Sequence, residues 1–412
     1  MRLLKIGVYN QSYLTQFRER HPALAGQPYF IQHAALMADS FGSSDFWTTA
    51  LRQLGYETMD TVANDATLQR RWAQEHGITW NENDWLLPVT IAQLKAFRPE
   101  ALIIADYATF NAAAVRRIKA ECPSIRLILG WCGAPHSDPA VFREWHVVLS
   151  CIPELVWRFR AEGHRAFHLN HAFEPRILGR LDTQRQPSVS FAFLGSIVKR
   201  NQFHQEREQI LTRLVEQTEL QIWSQLDTPS KHERRATRAR QLAFDTVRAA
   251  RRLGVPERLL SATPLAHRAA RWNARPDFSH YVDERLARRT RPPLFGLEMF
   301  QQLHDSRVAL NTHIDISPAS ASNMRLFEAT GVGACLLTDW KENLPRLFEP
   351  DAEVVAYRDA EECVEKVKHL LSHEDERRAI AAAGQRRTLR EHTFASRAEQ
   401  IDGIISDALL KL

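Results

Sequence analysis

Short, continuously apolar runs alternate with longer segments of helical spacing along most of the chain, and a strand that is apolar at every position needs cover on both faces. LLKIGVYN at 3–10, ALIIAD at 101–106, IRLILGW at 125–131, HVVLS at 146–150 and AFHLNHAF at 166–173 are largely apolar runs that read as such buried strands. Between them lie helix-like segments such as FNAAAVRRIKAE and PELVWRFRAEG. In SSDFWTTALRQLG, Phe46, Ala50, Leu51 and Leu54 fall on one helical face and Gly55 reads as the stop. Strand–helix alternation of this kind specifies a parallel sheet wound with helices on both sides.

The pattern pauses at ILGRLDTQRQPS, residues 177–188, and resumes with VSFAFLGS, FHQEREQILTRLVEQ and ELQIWS. After an interruption it continues with GLEMFQQLHDS, RVALNTH, NMRLFEATGVG, ACLLTD and EVVAYRD. A chain of 412 residues exceeds one ordinary core and suits two domains. The expectation is an α/β protein of two Rossmann-like, doubly wound domains facing a cleft. The first spans 1–180, the second 188–395, and a C-terminal helix at 396–412 crosses back to the first. Ligands of such sheets bind beyond the carboxyl ends of the strands.

The interruption is basic. From Asp227 to Arg291 there are sixteen Lys or Arg against seven Asp or Glu, a local +9, and the remainder carries 5 − 9 = −4. KHERRATRARQLAFDTVRAARRLG, with Ala236, Ala239, Ala243, Val247 and Ala250 at helical spacing and Gly254 and Pro256 as a stop, reads as a helical insertion over 227–291. Its arginine face is either solvated or meets an anionic acceptor or membrane headgroups, while a nucleic acid is not the expected partner. The five cysteines fall in no metal-ligand spacing, which fits a reducing compartment and excludes a disulfide framework. No signal peptide or membrane-spanning run is evident, so a cytoplasmic protein, at most peripheral to the inner membrane, is expected.

Chemistry concentrates in RVALNTHIDISPASASNMRLFEATGVGACLLTD, residues 307–339. A buried strand leads through a polar loop to a helix capped by Ser322 or Asn323, and a loop entering a helix N-terminus favours an anion. Arg325 and Glu328, three apart, share a face. The arginine can pair with a diphosphate, and the carboxylate can accept both hydroxyls of a ribose. His313, at the strand's end, is a donor-loop candidate. A metal reading of His313 with Asp315 lacks a third ligand. In FLGSIVKR, a strand ends in a turn at Gly195 and Ser196, with Lys199 and Arg200 close behind. Gly296, at the start of a helix, would admit close backbone approach to a base or ribose, or serve as an ordinary turn.

NMRLFEATGVGACLLTDWKENLPRLFEPDAEVVAY, together with AAAGQRRTLREHTFASR, resembles the C-terminal half of group-1 glycosyltransferases of the CgeB-like branch. The resemblance covers residues 294–400, reaches FLGSIVKR, and touches DFWTTALRQLGYE and TLQRRWAQEHG. It implies a GT-B fold, a nucleotide-diphosphate sugar as donor substrate and no separate cofactor, with Glu328 at the donor ribose and Arg200 or Lys199 at the diphosphate. A related large retaining family carries two glutamates flanking seven residues here, and this chain has Ser320 at the earlier position. The implied reaction is sugar transfer to a glycan, lipid-linked or protein acceptor, in cell-surface glycan synthesis.

The first domain is expected to hold the acceptor and a base. WCGAPHSD places His136 and Asp138 beyond a buried strand, and HLNHAFEPR offers His171 and Glu174, which also read as a structural linker. The first loop, NQSYL, lacks the G-x-G-x-x-G fingerprint, which disfavours a nicotinamide or flavin enzyme. Two other readings remain open: a sugar-nucleotide epimerase of the same fold, and a catalytically silent nucleotide-sugar or polyanion-binding module. Turnover separates the last from the enzymes.

Overall fold

The computed structural model describes residues 1–134, 139–197, 204–226, 229–256, 267–269, 271–272, 274–276, 281–313, 315 and 317–411. It divides into two compact units, one made of 1–193 with 294–412 and the other of 194–293.

In the first unit, six short strands form a wholly parallel sheet. They are β1 (Arg2–Gly7), β2 (Glu57–Val62), β3 (Ala101–Ile104), β4 (Leu127–Trp131), β5 (Val147–Ser150) and β6 (Ala166–His168). Their order is β2-β1-β3-β4-β5-β6. Strands β3 and β5 are buried at every residue, as their unbroken apolar sequences require. Helices flank them with side-chain caps: Asp65 accepts from the Leu68 N–H ahead of Ala66–Glu75, and Asn111 from Ala114 N–H ahead of Ala112–Glu121. Phe46–Gln53 is a helix with Phe46, Ala50 and Leu51 buried, but Leu54 is 42% exposed because the helix has ended before it.

NQSYL does not form a loop. Asn10 caps a helix at Gln11–Arg20, and a second helix follows at Tyr29–Ala38. Both settle on an aromatic cluster in which Tyr13 stacks on Phe41 with ring centroids 3.8 Å apart and meets Phe295 edge-on.

The second parallel sheet contributes four strands to this unit, β7 (Val189–Leu194), β10 (Ser306–Asn311), β11 (Cys335–Asp339) and β12 (Val355–Tyr357), in the order β12-β11-β10-β7. Val308 lies opposite Phe191 on one side and Cys335 on the other, and Asn311 lies opposite Thr338. The last helix, Phe394–Leu409, packs on Phe46–Gln53, with Phe394 5.0 Å from Phe46 and 4.9 Å from Trp47. Phe173 N–H donates to the His392 carbonyl at 2.8 Å, and the Phe173 carbonyl accepts from Phe394 N–H at 3.1 Å.

The second unit holds β8 (Gln221–Trp223) and β9 (Thr290–Arg291), paired in parallel, and the long helix Lys231–Arg252. That helix opens with a capping box, Ser230 with Glu233. Its buried positions are Thr237, Phe244 and Val247, so the face turned inward is larger and more aromatic than the alanine row implies, and Ala239 is exposed. Among the described residues no helix is long and apolar enough to cross a membrane.

Gly296 has φ +56°, and a Cβ there would meet the Asp39 carbonyl oxygen at 2.3 Å, while Leu297 N–H donates to that same oxygen. The close approach its missing side chain permits is to the chain's own N-terminal segment. Gly296→Ala should lower stability by about 1–3 kcal/mol through left-handed strain and overpacking. Equal melting temperatures for variant and parent would count against this contact.

Candidate functional site

The carboxyl ends of β10 and β11 are tied together by side-chain amides. Asn311 donates to Thr338 Oγ1 (3.0 Å) and to Asn323 Oδ1 (3.1 Å), and Asn323 donates back to Asn311 Oδ1 (2.7 Å) and to the Thr312 carbonyl (3.2 Å). Neither Ser322 nor Asn323 caps the next helix. That helix is Arg325–Gly331, preceded by Met324 with no side-chain cap. The Asn323 amide is committed to the strand end, where it fixes the path of the loop. Further along, Ala321 N–H donates to Asn343 Oδ1 at 2.6 Å, and Asn343 returns a bond to the Ala321 carbonyl. Ser320 is buried within this loop.

Arg325 and Glu328 lie on the first turn and form an ion pair of 2.8 Å, their side chains 15% and 8% exposed. Burial raises the Glu328 carboxyl above the usual range, and the Arg325 charge opposes that rise. Removing both charges from water is costly, so such a pair is weak evidence of stability and a better sign of a working site. The Arg325 guanidinium also rests against the Met299 sulfur of the helix Gly296–His304.

His313 is fully covered at its side chain. Its Nδ1 lies 2.7 Å from Asp339 Oδ1, and its backbone N–H donates to both Asp339 oxygens. Lys341 reaches Asp339 Oδ2 at 3.3 Å and donates to the Pro318 carbonyl at 3.0 Å. Burial alone would raise the Asp339 carboxyl, but the His313 ring and Lys341 outweigh it and hold it at about 2. Among the described residues His313 Nε2 is buried with no hydrogen-bond partner. Leaving such a group unmatched costs about 1–3 kcal/mol. Asp339, Lys341 and Asn311 escaped the sequence reading. The Asn311–Thr338 register is what brings Asp339 beside His313.

In the second unit, the Gly195 N–H donates to the Trp223 carbonyl at 3.2 Å, and the Ser196 carbonyl accepts from Arg207 at 2.8 Å. Arg207 is a buried cation that sequence patterning did not single out. Lys199 and Arg200 lie outside the described residues, as do His136 and Asp138.

Beyond the first sheet's strands, His171 lies 5.1 Å from the Trp131 ring, and burial and then Arg397 lower it to about 4, so it is neutral near pH 7. Glu174 caps Arg176 N–H and pairs with the Arg176 guanidinium, a structural task. Glu154, just after β5, has both carboxylate oxygens buried without a hydrogen-bond partner among the described residues. Among the described residues, one group spaced to hold a metal is His369, His373 and Glu376, all exposed on the helices Ala360–Ser372 and Glu374–Glu391 and the turn between them.

Residues 234–403 match the family described as glycosyl transferase-like. Sucrose-phosphate synthase from Thermosynechococcus elongatus superposes with a TM-score of 0.53 at 8% identity over 100% of both chains. HepE from Anabaena, in complex with UDP-glucose, gives 0.53 at 10% identity over 99% of this chain and 100% of that one. AviGT4, a glycosyltransferase involved in avilamycin A biosynthesis, gives 0.52 at 10% identity over 100% and 99%. No curated protein sequence matches the chain. At these identities the solved structures show the fold alone. The chain therefore has the GT-B fold, and its residues 234–403 are similar to the glycosyl transferase-like family.

Proposed function

We propose that the protein is a glycosyltransferase that takes a sugar from a nucleotide-diphosphate donor and passes it to an acceptor hydroxyl in glycan assembly. The buried Arg325–Glu328 pair at the carboxyl end of β10, inside the matched domain, carries this reading. Glu328 accepts the ribose hydroxyls, and Arg325 turns from Glu328 toward the diphosphate when donor binds. Asn323 holds both in place through Asn311. Breaking the glycosyl–phosphate bond leaves extra negative charge on the departing nucleoside diphosphate, which fixed cations stabilise best in a water-poor site. Lys199 and Arg200 supply further positive charge, with Gly195 and Ser196 as further donor contacts. His136 or Asp138 takes the acceptor proton. The HepE structure with UDP-glucose supports a nucleotide sugar as partner.

The test is calorimetric titration with UDP-, GDP- and dTDP-linked sugars in excess EDTA. One donor should bind saturably, because the proposed phosphate contacts are arginine, lysine and backbone groups. Binding restored only by added magnesium or manganese would overturn the metal-free phosphate site. No binding by any of these sugars, with or without metal, would overturn the function.

A further inference from the structure

We infer that His313 is a sugar-reading residue, its Nε2 accepting a hydrogen bond from a hydroxyl of the transferred glycosyl group, with Asp339 as the positioning residue that keeps Nε2 free of its proton. This rests on the donor site proposed for the β10 end and adds what reads the sugar there.

The reasoning begins with the imidazole's two nitrogens. A neutral ring carries one proton, and the partner of one nitrogen decides the role of the other. Nδ1 lies 2.7 Å from the Asp339 carboxylate, which can only accept, so Nδ1 holds the proton. The carboxylate is itself fixed by the His313 backbone N–H and by Lys341, so the ring is held from two directions. In the neutral ring Nε2 is then the lone pair. It is shielded from water and meets no donor among the described residues, although the ring's other nitrogen is satisfied by Asp339. A buried polar atom left unmatched in an otherwise tied network calls for an explanation, and an absent ligand is one.

The chemistry of that ligand follows. The atom needed is a neutral hydrogen-bond donor, which excludes phosphate oxygens at neutral pH and fits a hydroxyl. Glu328 takes the ribose hydroxyls, and Asn323, which ties the strand end below His313 to the loop leading to Glu328, is spent on Asn311 and Thr312. The remaining hydroxyls of a nucleotide sugar are on its glycosyl group. The Lys341 ammonium lies 3.3 Å from the far oxygen of Asp339 and holds the carboxylate from its other side.

The experiment compares the nucleotide sugar that binds best in the calorimetric series with its own nucleoside diphosphate, on two isosteric variants. His313→Asn keeps a donor toward Asp339 and removes the acceptor at the Nε2 position. His313→Gln carries a carbonyl oxygen out to that position. His313→Asn should lose about tenfold in affinity for the nucleotide sugar and leave the nucleoside diphosphate unchanged, and His313→Gln should recover most of the loss. Asp339→Asn, which lets the ring exchange its proton between nitrogens, should fall between parent and His313→Asn for the sugar alone. Equal losses for both ligands, or identical behaviour of the asparagine and glutamine variants, would reduce His313 to a structural role and overturn the inference. Loss of nucleoside diphosphate binding in the parent itself would instead strike the donor-site reading.

Discussion

The Glu328→Gln variant should bind a nucleoside diphosphate about 10- to 100-fold more weakly than the parent, equivalent to about 1.5–3 kcal/mol for hydrogen bonds to a charged group. Glutamine keeps the volume and one acceptor but loses the charge and turns the second acceptor into a donor. Alanine is the poorer probe. Glu328 and Arg325 are both largely buried, and truncating the carboxylate would strand the guanidinium without its partner. Breaking such a pair from one side is destabilising, here by about 2–3 kcal/mol given the partial exposure of Arg325. Nucleotide affinity and urea midpoint therefore have to be read together. Full affinity in Glu328→Gln would remove Glu328 from the donor site.

The strands were legible because burial on both faces leaves a mark on every residue, as in ALII at β3 and CLLTD at β11. Arg325 and Glu328 were legible for a different reason: their spacing of three is itself a statement about one helical face. The helix Gln11–Arg20 was not, since its buried residues are only Tyr13, Leu14 and Phe17 among polar ones, and the pattern is too short to stand out from a loop. Gly296 shows the limit more sharply. Its need for a missing side chain comes from Asp39, remote in sequence, so no local pattern could distinguish it from a turn glycine. Asp339 reads as the end of a strand, and it becomes a site residue only through the pairing of β10 with β11.

Stability should fall as the pH drops from about 6.5 to about 4, and His392 is the group expected to carry much of the fall. The ring is 5% exposed and lies between Phe327 and Phe348, with centroids 5.0 and 5.1 Å away. Its Nε2 lies 3.0 Å from the Leu347 carbonyl and donates to it, so Nδ1 is the lone pair that accepts from Arg397 at 2.9 Å. A second proton would have to enter at Nδ1, against an N–H of a guanidinium. Burial, followed by that charge, lowers the ring from 6.5 to about 4, with the Leu347 bond acting in the opposite sense. The unfolded chain then binds more protons than the folded one throughout this window, so stability is complete above about pH 6.5 and shrinks as the pH falls. The loss is about 2 kcal/mol at pH 5 and about 3 kcal/mol once the pH is below 4. His171, also lowered to about 4, adds to the same slope. Urea midpoints measured from pH 7.5 to 4.5 should decline in the parent, and His392→Gln, less stable at pH 7.5, should decline less steeply. The arrangement would be wrong if parent and variant traced parallel lines, because the proton uptake would then reside on other groups.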